Sequence, residues 1–485
     1  MLSEQCNERF RRGQQGEQGQ QGDQGQALRI ERRGRTGRVM PTLSAVLVAA
    51  SAFTAMSVVP ALSGTASAAV SSDPARIGLY GSQDPTFDGV YRQSLAILAL
   101  VAAGRTPAPA AVAWLKKQQC ADGGFESFRT PLTSACLAPS STVFHGEDSN
   151  STGIAAQALH ALGDNVNAGR AVSWLGTHLN SDGGWAFYPD GAAGNASDAN
   201  STALGLSAFY AVGRALPKTG TNVTPLDYLL TQQVGCSGAA ADQGAFTFFG
   251  SANDFATVQA ALAVVGGFLP VPFAAGDNAE PVIACPAATL TPAQSGDAAA
   301  GYLARRMQAN GNSIPDSVNP AKVDYASISN AVLALVRLGH GSAAVASALD
   351  VLATNQLAFT HISGQDVPGA LADLIMAAVA GGRSPTTFGS TNLVVRLQAT
   401  LTIATVKPKP TPKPTPKPTT GNTPAPGVAA SGSGTSGSSG NDPTLPKTGV
   451  DVRVGSAAAT GGALLLVGSI LVLVSRRRRR DLDST

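Results

Sequence analysis

Two helical patterns alternate along the middle of the chain. The first has a small polar start, an Ala/Leu body and a glycine stop. Asp148 opens one such segment ending at Gly163, Asp198 one ending at Gly213, Asp324 one ending at Gly339, and Asp366 one ending at Gly381. In all four, about fifteen residues part the aspartate from the glycine, a regularity that marks a structural repeat. Asp, Ser and Asn at the start can cap free N–H groups, and glycine permits a left-handed stop. The segment 251–266 keeps Asn253 where Asn150 and Asn200 stand, and 87–104 has Asp88 shifted by one, which brings the number to six.

A second helix type alternates with the first, with Trp114, Trp174, Tyr228, Tyr302 and Val351 in equivalent places. Gln119, Gln233 and Gln356 close three of these helices, and a sixth, degenerate copy lies near 392–401. Asp122-Gly123-Gly124-Phe125 follows the first and Asp182-Gly183-Gly184-Trp185 the second, while Asp242-Gln243-Gly244-Ala245-Phe246 is a weaker third copy. These strings, each followed by a polar helix start, resemble the prenyltransferase and squalene–hopene cyclase repeat over residues 80–405. The resemblance implies an all-α fold, an (α/α)6 toroid of six inner and six outer helices. It also implies that the glutamine-bearing helices are outer. Gln119 with Phe125, and His178 with Trp185, would then be structural ties from an outer helix end to the next inner helix. His178 departs from the usual glutamine.

The chemistry usually hosted by such rings can be looked for residue by residue. No Asp-x-Asp-Asp string offers a proton to an alkene, no Asp-x-Cys pattern offers a prenyltransferase zinc site, and no Cys-Gly-Glu-Gln offers a thioester. Paired rim carboxylates would suit glycoside hydrolysis. Yet Asp148, Asp198, Asp324 and Asp366 recur at one position, as capping residues do. A helix N-terminus favours the charged form of such a carboxyl, so these groups are expected to be weak proton donors. Breaks in the repeat are better candidates for a ligand site: His145, the 185–190 loop with Trp185 and Tyr188, and the stretch from Phe246 to Phe249. With Asp148 and Asp198 they form a candidate binding set for a planar ligand, a lipid or a sugar. The expectation is a non-catalytic, ligand-binding ring with no cofactor and no metal. An extracellular enzyme using rim carboxylates and an adhesive head with no small ligand are the alternatives.

The two ends of the chain change the picture. Arg32, Arg33, Arg35 and Arg38 precede an apolar run from about 43 to 62, and Ala66-Ser67-Ala68 follows, the pattern of a signal peptide within 1–68. Near the other end, Leu445-Pro446-Lys447-Thr448-Gly449 is followed by an apolar stretch, 457–475, and five arginines, 476–480. About 19 apolar residues can just cross a bilayer, and the basic tail stops transfer. This order resembles the wall-sorting signal of Gram-positive surface proteins. The resemblance implies a transient membrane precursor, a sortase that cleaves after Thr448, and covalent transfer of Thr448 to peptidoglycan. A second LPKTG, Leu216 to Gly220, has no apolar span behind it and reads as an inter-helix loop. Residues 406–444, Pro-rich and then Gly/Ser-rich, read as a wall-spanning linker.

Composition then narrows the partners. A net charge of +3 on 485 residues argues against a nucleic-acid partner, since much of the basic charge sits in the signal, linker and tail. Besides Cys6, lost with the signal, the chain holds Cys120, Cys136, Cys236 and Cys285. An even number outside the cell points to two disulfides. Each of the pairs Cys120–Cys136 and Cys236–Cys285 brackets one inter-helix excursion, so this pairing is favoured, at roughly 3 and 4 kcal/mol in the loop-entropy picture. Zinc is the competing use, and no C-x-x-C spacing supports it.

Overall fold

A computed structural model describes residues 70–283 and 290–404. The predicted signal peptide, linker, sorting signal and Cys285 lie outside the described residues. Among those described there are thirteen helices and six two-residue strands.

The helices of the first pattern are α1 (Gly89–Ala102), α3 (Ser149–Ala161), α5 (Ala199–Val212), α7 (Asp254–Val264), α9 (Tyr325–Leu338) and α12 (Pro368–Ala380). Each packs against the one before and the one after, and α12 packs against α1, so the six close a ring. Helices α2 (Pro109–Gln118), α4 (Asn165–Thr177), α6 (Pro225–Thr231), α8 (Pro292–Ala309), α10 (Ser342–Thr354) and α13 (Leu393–Ala399) pack outside, each on the inner helix that precedes it. A short α11 (Gln356–Thr360) follows α10. The fold is an (α/α)6 toroid. Inner helices are buried nearly all round, as α12 is from Pro368 to Ala378, whereas outer helices such as α4 bury one stripe through Ala168, Ala171, Val172, Trp174 and Leu175. Alanine and glycine on the inner helices let them approach closely. A Cβ on Gly153 of α3 would sit 3.0 Å from the Leu204 backbone of α5.

The starts of the inner helices follow the expected chemistry with two corrections. Asp148, Asp198 and Asp324 each accept from the backbone N–H three residues on, at Ser151, Ser201 and Ser327. Asn253 caps α7 by the same bond to Ala256, so it stands where Asp148 and Asp198 do, two places from the register of Asn150 and Asn200. Asp366 caps nothing. It lies in a short strand before Val367, the true cap position. There it takes two bonds from Arg396, at 2.6 and 3.1 Å, and one from His361 at 2.8 Å.

The aspartate–glycine strings make the link between repeats. In Asp122-Gly123-Gly124-Phe125, Gly123 has φ +115°, and its counterpart Gly183 has φ +89°, a conformation that favours glycine. The next aromatic then plugs onto the following inner helix. Phe125, Trp185 and Phe246 donate their N–H to Thr152, Thr202 and Thr257 at 2.9–3.0 Å. Each aromatic's carbonyl accepts from the cap residue Asp148, Asp198 or Asn253. The glutamines do something different from the expectation. Gln119 Nε2 reaches the Asn167 carbonyl of α4, and Gln233 Nε2 the Ser295 carbonyl of α8, both at 2.9 Å. They therefore tie one outer helix to the next outer helix. Gln356 opens α11 instead of closing α10, and its Oε1 accepts from Arg396. His178 stacks on Trp174 at 4.1 Å and bonds within its own helix.

The first and last segments meet. Val70–Ser71 (β1) pairs in parallel with Ile403–Ala404 (β6), while β2 (Thr247–Phe248) with β3 (Ser251–Ala252) and β4 (His361–Ile362) with β5 (Gln365–Asp366) form antiparallel pairs, and Tyr80 bridges Leu401 in antiparallel sense.

Candidate functional site at the ring axis

A small cavity of about 30 Å³ lies on the axis of the ring, lined by residues of all six inner helices and by Leu269. A water needs roughly 10–15 Å³ by this measure, so the space suits about two waters. Its apolar wall includes Leu95, Leu204, Val258 and Leu262; its polar groups are Tyr91, Gln157, Ser207, Gln259, Asn330 and Asp373.

These polar groups are placed by the repeat. Gln259, Asn330 and Asp373 each stand six residues after the cap positions Asn253, Asp324 and Val367. Three consecutive inner helices thus present a polar side chain at one level of the shaft. Most of these groups are engaged. Gln157 accepts from the Leu269 N–H at 2.9 Å, Ser207 donates to the Gly267 carbonyl at 2.9 Å, and Asn330 donates to the Ala326 carbonyl at 2.9 Å. Asn150 donates to Asn200 at 3.2 Å, and Asn200 in turn to Gln259.

Asp373 is the exception. It is 4% exposed, lines the cavity, and has no hydrogen bond or ion pair among the described residues. Burial, followed by the nearby Asp324 carboxylate, pushes its pKa up to about 8. Burial also pushes up the Tyr91 hydroxyl, with the Asp373 charge adding to it.

The residues expected from sequence fall elsewhere. Trp185 and Phe246 are fully buried in the ring wall, where Trp185 donates its indole N–H to the Leu175 carbonyl at 2.9 Å; neither faces a cavity mouth, so both leave the candidate binding set. Tyr188 is 9% exposed, and burial, then Asp148 and Glu126, raise its pKa. His145 is an exposed loop residue whose backbone pairs with Ser140. The expected charge state of the rim aspartates is corrected too. Burial outweighs the cap bonds and lifts Asp148 to about 7 and Asp198 to about 6. Asp366 goes the other way, because Arg396 and His361 outweigh its burial.

A second acidic spot breaks the repeat. Before Asp198 stands Ser197, whose hydroxyl donates to Asp182 at 2.7 Å. Before Asp148 stands Glu147 instead, 4% exposed, with Oε1 unpartnered. Burial, followed by a hydrogen bond with Asp122, lifts Glu147 to about 8. Its carboxyl lies beside the Cys120–Cys136 sulfurs. Those two form a disulfide with Cα atoms 5.8 Å apart, so neither offers a thiolate to a metal. Cys236 is also disulfide-bonded.

Comparison with known proteins adds the anchor. Residues 437–481 match the family model for the LPXTG cell wall anchor motif. The chain is therefore a surface protein of a Gram-positive bacterium, anchored to the cell wall by sortase processing of that motif and covalent attachment to peptidoglycan. No curated protein matches the chain. Among solved structures, a protein from Actinoplanes is similar, at 16% identity and a TM-score of 0.41, with 63% of this chain and 92% of that one covered. The type II terpene cyclase MstE from Scytonema, without ligand, is similar at 15% identity and a TM-score of 0.39, with 63% and 93% covered. Likenesses this loose say nothing of chemistry, and the ring stands on its own helix contacts.

The axial residues were missed in the sequence, yet a signal was there. A lone aspartate in the middle of the Ala/Leu body of α12 has no reason to be buried unless it faces something polar. Glu147 could have been found by setting Glu147-Asp148 beside Ser197-Asp198.

Proposed function

We propose that the domain is a non-catalytic receptor head, displayed on the wall, that takes one small polar group into its axial shaft. The observation that carries this reading is the shaft itself: about 30 Å³, with six polar side chains at its lining and one carboxyl without a partner. A polyprenyl chain needs a cavity many times larger, of the hundreds of Å³ usual for organic ligands. Paired-carboxylate hydrolysis needs two acids across a cleft, whereas Asp148, Asp198 and Asp324 are each engaged at a helix start. The wall anchor supports display, since it holds the ring outside the cell.

The test uses mature protein released from the wall. Incubation with labelled squalene, polyprenyl diphosphates and wall oligosaccharides should give no product. A panel of small polar molecules should show saturable binding that is lost on Ala203→Leu, which fills the shaft, while circular dichroism reports an intact helical ring. Cyclised, transferred or hydrolysed product would overturn the reading, as would a panel with no binder.

A further inference from the structure

We propose that the axial shaft is a site for a primary alkylammonium group, with Asp373 as its counter-ion; this rests on the receptor reading above. The carboxyl of Asp373 is the one charge-bearing side chain at the lining, it is buried, and among the described residues no cation comes to it. A carboxylate in such a place costs several kcal/mol unless it is protonated or paired. The charges on neighbouring elements are spent elsewhere. Arg92 of α1 pairs with Asp88 at 2.9 Å, Arg396 of α13 with Asp366 at 2.6 Å, and Arg383 with Asp350 of α10 at 2.7 Å. The titratable groups facing Asp373 are Asp324 at the start of α9, which disfavours its negative charge, and Tyr91 on α1, whose hydroxyl burial keeps neutral. A cation arriving from outside is what the site lacks.

The lining says which cation. A bare alkali ion wants a full shell of oxygens, and two of those here, on Gln157 and Gln259, already accept from Leu269 and Asn200. An ammonium brings its own donors, three N–H groups. Asp373 and the Asn330 carbonyl oxygen, one level round the ring, can accept them. The carbon behind the nitrogen would lie against Leu95, Leu204, Val258 and Leu262, with the rings of Tyr91 and Phe255 beside it. Aromatic faces also favour a cation. Space for about two water-sized atoms admits the end of a linear amine and excludes a branched or trimethylated one.

Binding exchanges a proton for the ligand. The empty site holds Asp373 protonated at neutral pH, with its pKa near 8, and the ion pair needs it charged. Affinity should therefore rise with pH up to about 8, by close to tenfold per unit below that value.

The experiment is calorimetric titration of the mature protein with ethylammonium and 1,5-diaminopentane, at pH 6.5 and 8.5. Ethanol, tetramethylammonium and potassium serve as comparisons. We expect the two amines to bind at least tenfold more tightly than ethanol and at least tenfold more tightly at pH 8.5 than at pH 6.5, with a proton released that shows as a dependence on buffer ionisation enthalpy. Asp373→Asn, which keeps the shape, should lose tenfold or more in amine affinity, and Asn330→Leu should lose a smaller factor. Equal amine binding by the Asp373→Asn variant overturns the proposal, as does potassium binding without amine binding. Binding of ethanol-sized neutral molecules alone would overturn it while leaving the receptor reading intact.

Discussion

Glu147 allows the most direct test of the electrostatics. In the folded protein its carboxyl is buried, faces Asp122, and is raised from 4.5 to about 8. The unfolded chain would ionise it near pH 4.5. Between those two values the native state holds one proton more than the unfolded state. Stability is thus fully present below about pH 4.5 and is lost as pH rises through 8, by at most about 1.4 kcal/mol per unit. The window spans about 3.5 units, so the ceiling is about 5 kcal/mol; solvent reaching the exposed Asp122 side should roughly halve it. Glu147→Gln keeps the shape, can still donate to Asp122, and does not titrate. Urea unfolding of mature wild-type and variant protein at pH 5, 6, 7 and 8 should show the variant gaining stability on wild type at each step, by about 2 kcal/mol over the series. Taking the difference removes the like-signed slopes from Asp148 and Asp373. Parallel curves for the two proteins would refute the assignment of a buried, proton-sharing carboxyl at Glu147. Glu147→Ser, which copies the Ser197–Asp182 arrangement, should behave as the Gln variant does.

Other outcomes follow from anchor, crosslinks and core. Thr448→Ala should abolish wall attachment, read in wall fractions. Thr219→Ala should leave attachment unchanged, because that LPKTG copy sits in a turn closed by the Thr219 N–H to Val223 carbonyl bond at 3.0 Å; loss of wall protein in that variant would refute this. Non-reducing peptide maps should join Cys120 to Cys136 and Cys236 to Cys285, and a Cys120→Ala/Cys136→Ala protein should lose about 3 kcal/mol of stability. Trp185→Ala should cost about 3–5 kcal/mol through the cavity it leaves against Phe209 and Gly205, and folded variant protein that binds the amine as wild type does would confirm that Trp185 supports the wall of the ring and not its site.

The ring was legible because its signal is periodic: one inner and one outer helix per repeat, each with its own cap and stop. The weak points were where a local rule was read without its surroundings. Asp366 looks like a cap by spacing, but Pro368 moves the helix start on by one and Arg396 captures the carboxylate. Trp185 and Phe246 look like ligand-facing aromatics because large rings are common at binding sites. Their place after the Asp-Gly-Gly turn makes them plugs onto the next inner helix. The charge state of Asp148 and Asp198 was misjudged for a related reason: the cap bond is visible in the sequence, and the depth of burial that outweighs it is not. Depth also explains why the axial layer went unseen. Gln259, Asn330 and Asp373 are neighbours only once the ring has closed.

The meeting of β1 with β6 has a mechanical consequence. With the wall bond C-terminal to the ring, a pull on the ring away from the wall is transmitted through residue 404. Strand β6 lies parallel to β1, and both continue from the same end, one to the tether and one into the ring. Force therefore peels this pair one bond at a time. The next contact resists differently. Leu401 runs antiparallel to Tyr80, and the bonds around it, Thr402 N–H to Leu79 and Gly81 N–H to Thr400, both 2.8 Å, are strained together in shear. Behind them, Gln93 of α1 accepts from the Tyr80 N–H and donates to the Gly78 and Ala111 carbonyls, each at 2.9 Å. The seam is thus a graded fastening: an outer stitch that gives early, and an inner one sewn to an inner helix that keeps the ring closed under tension.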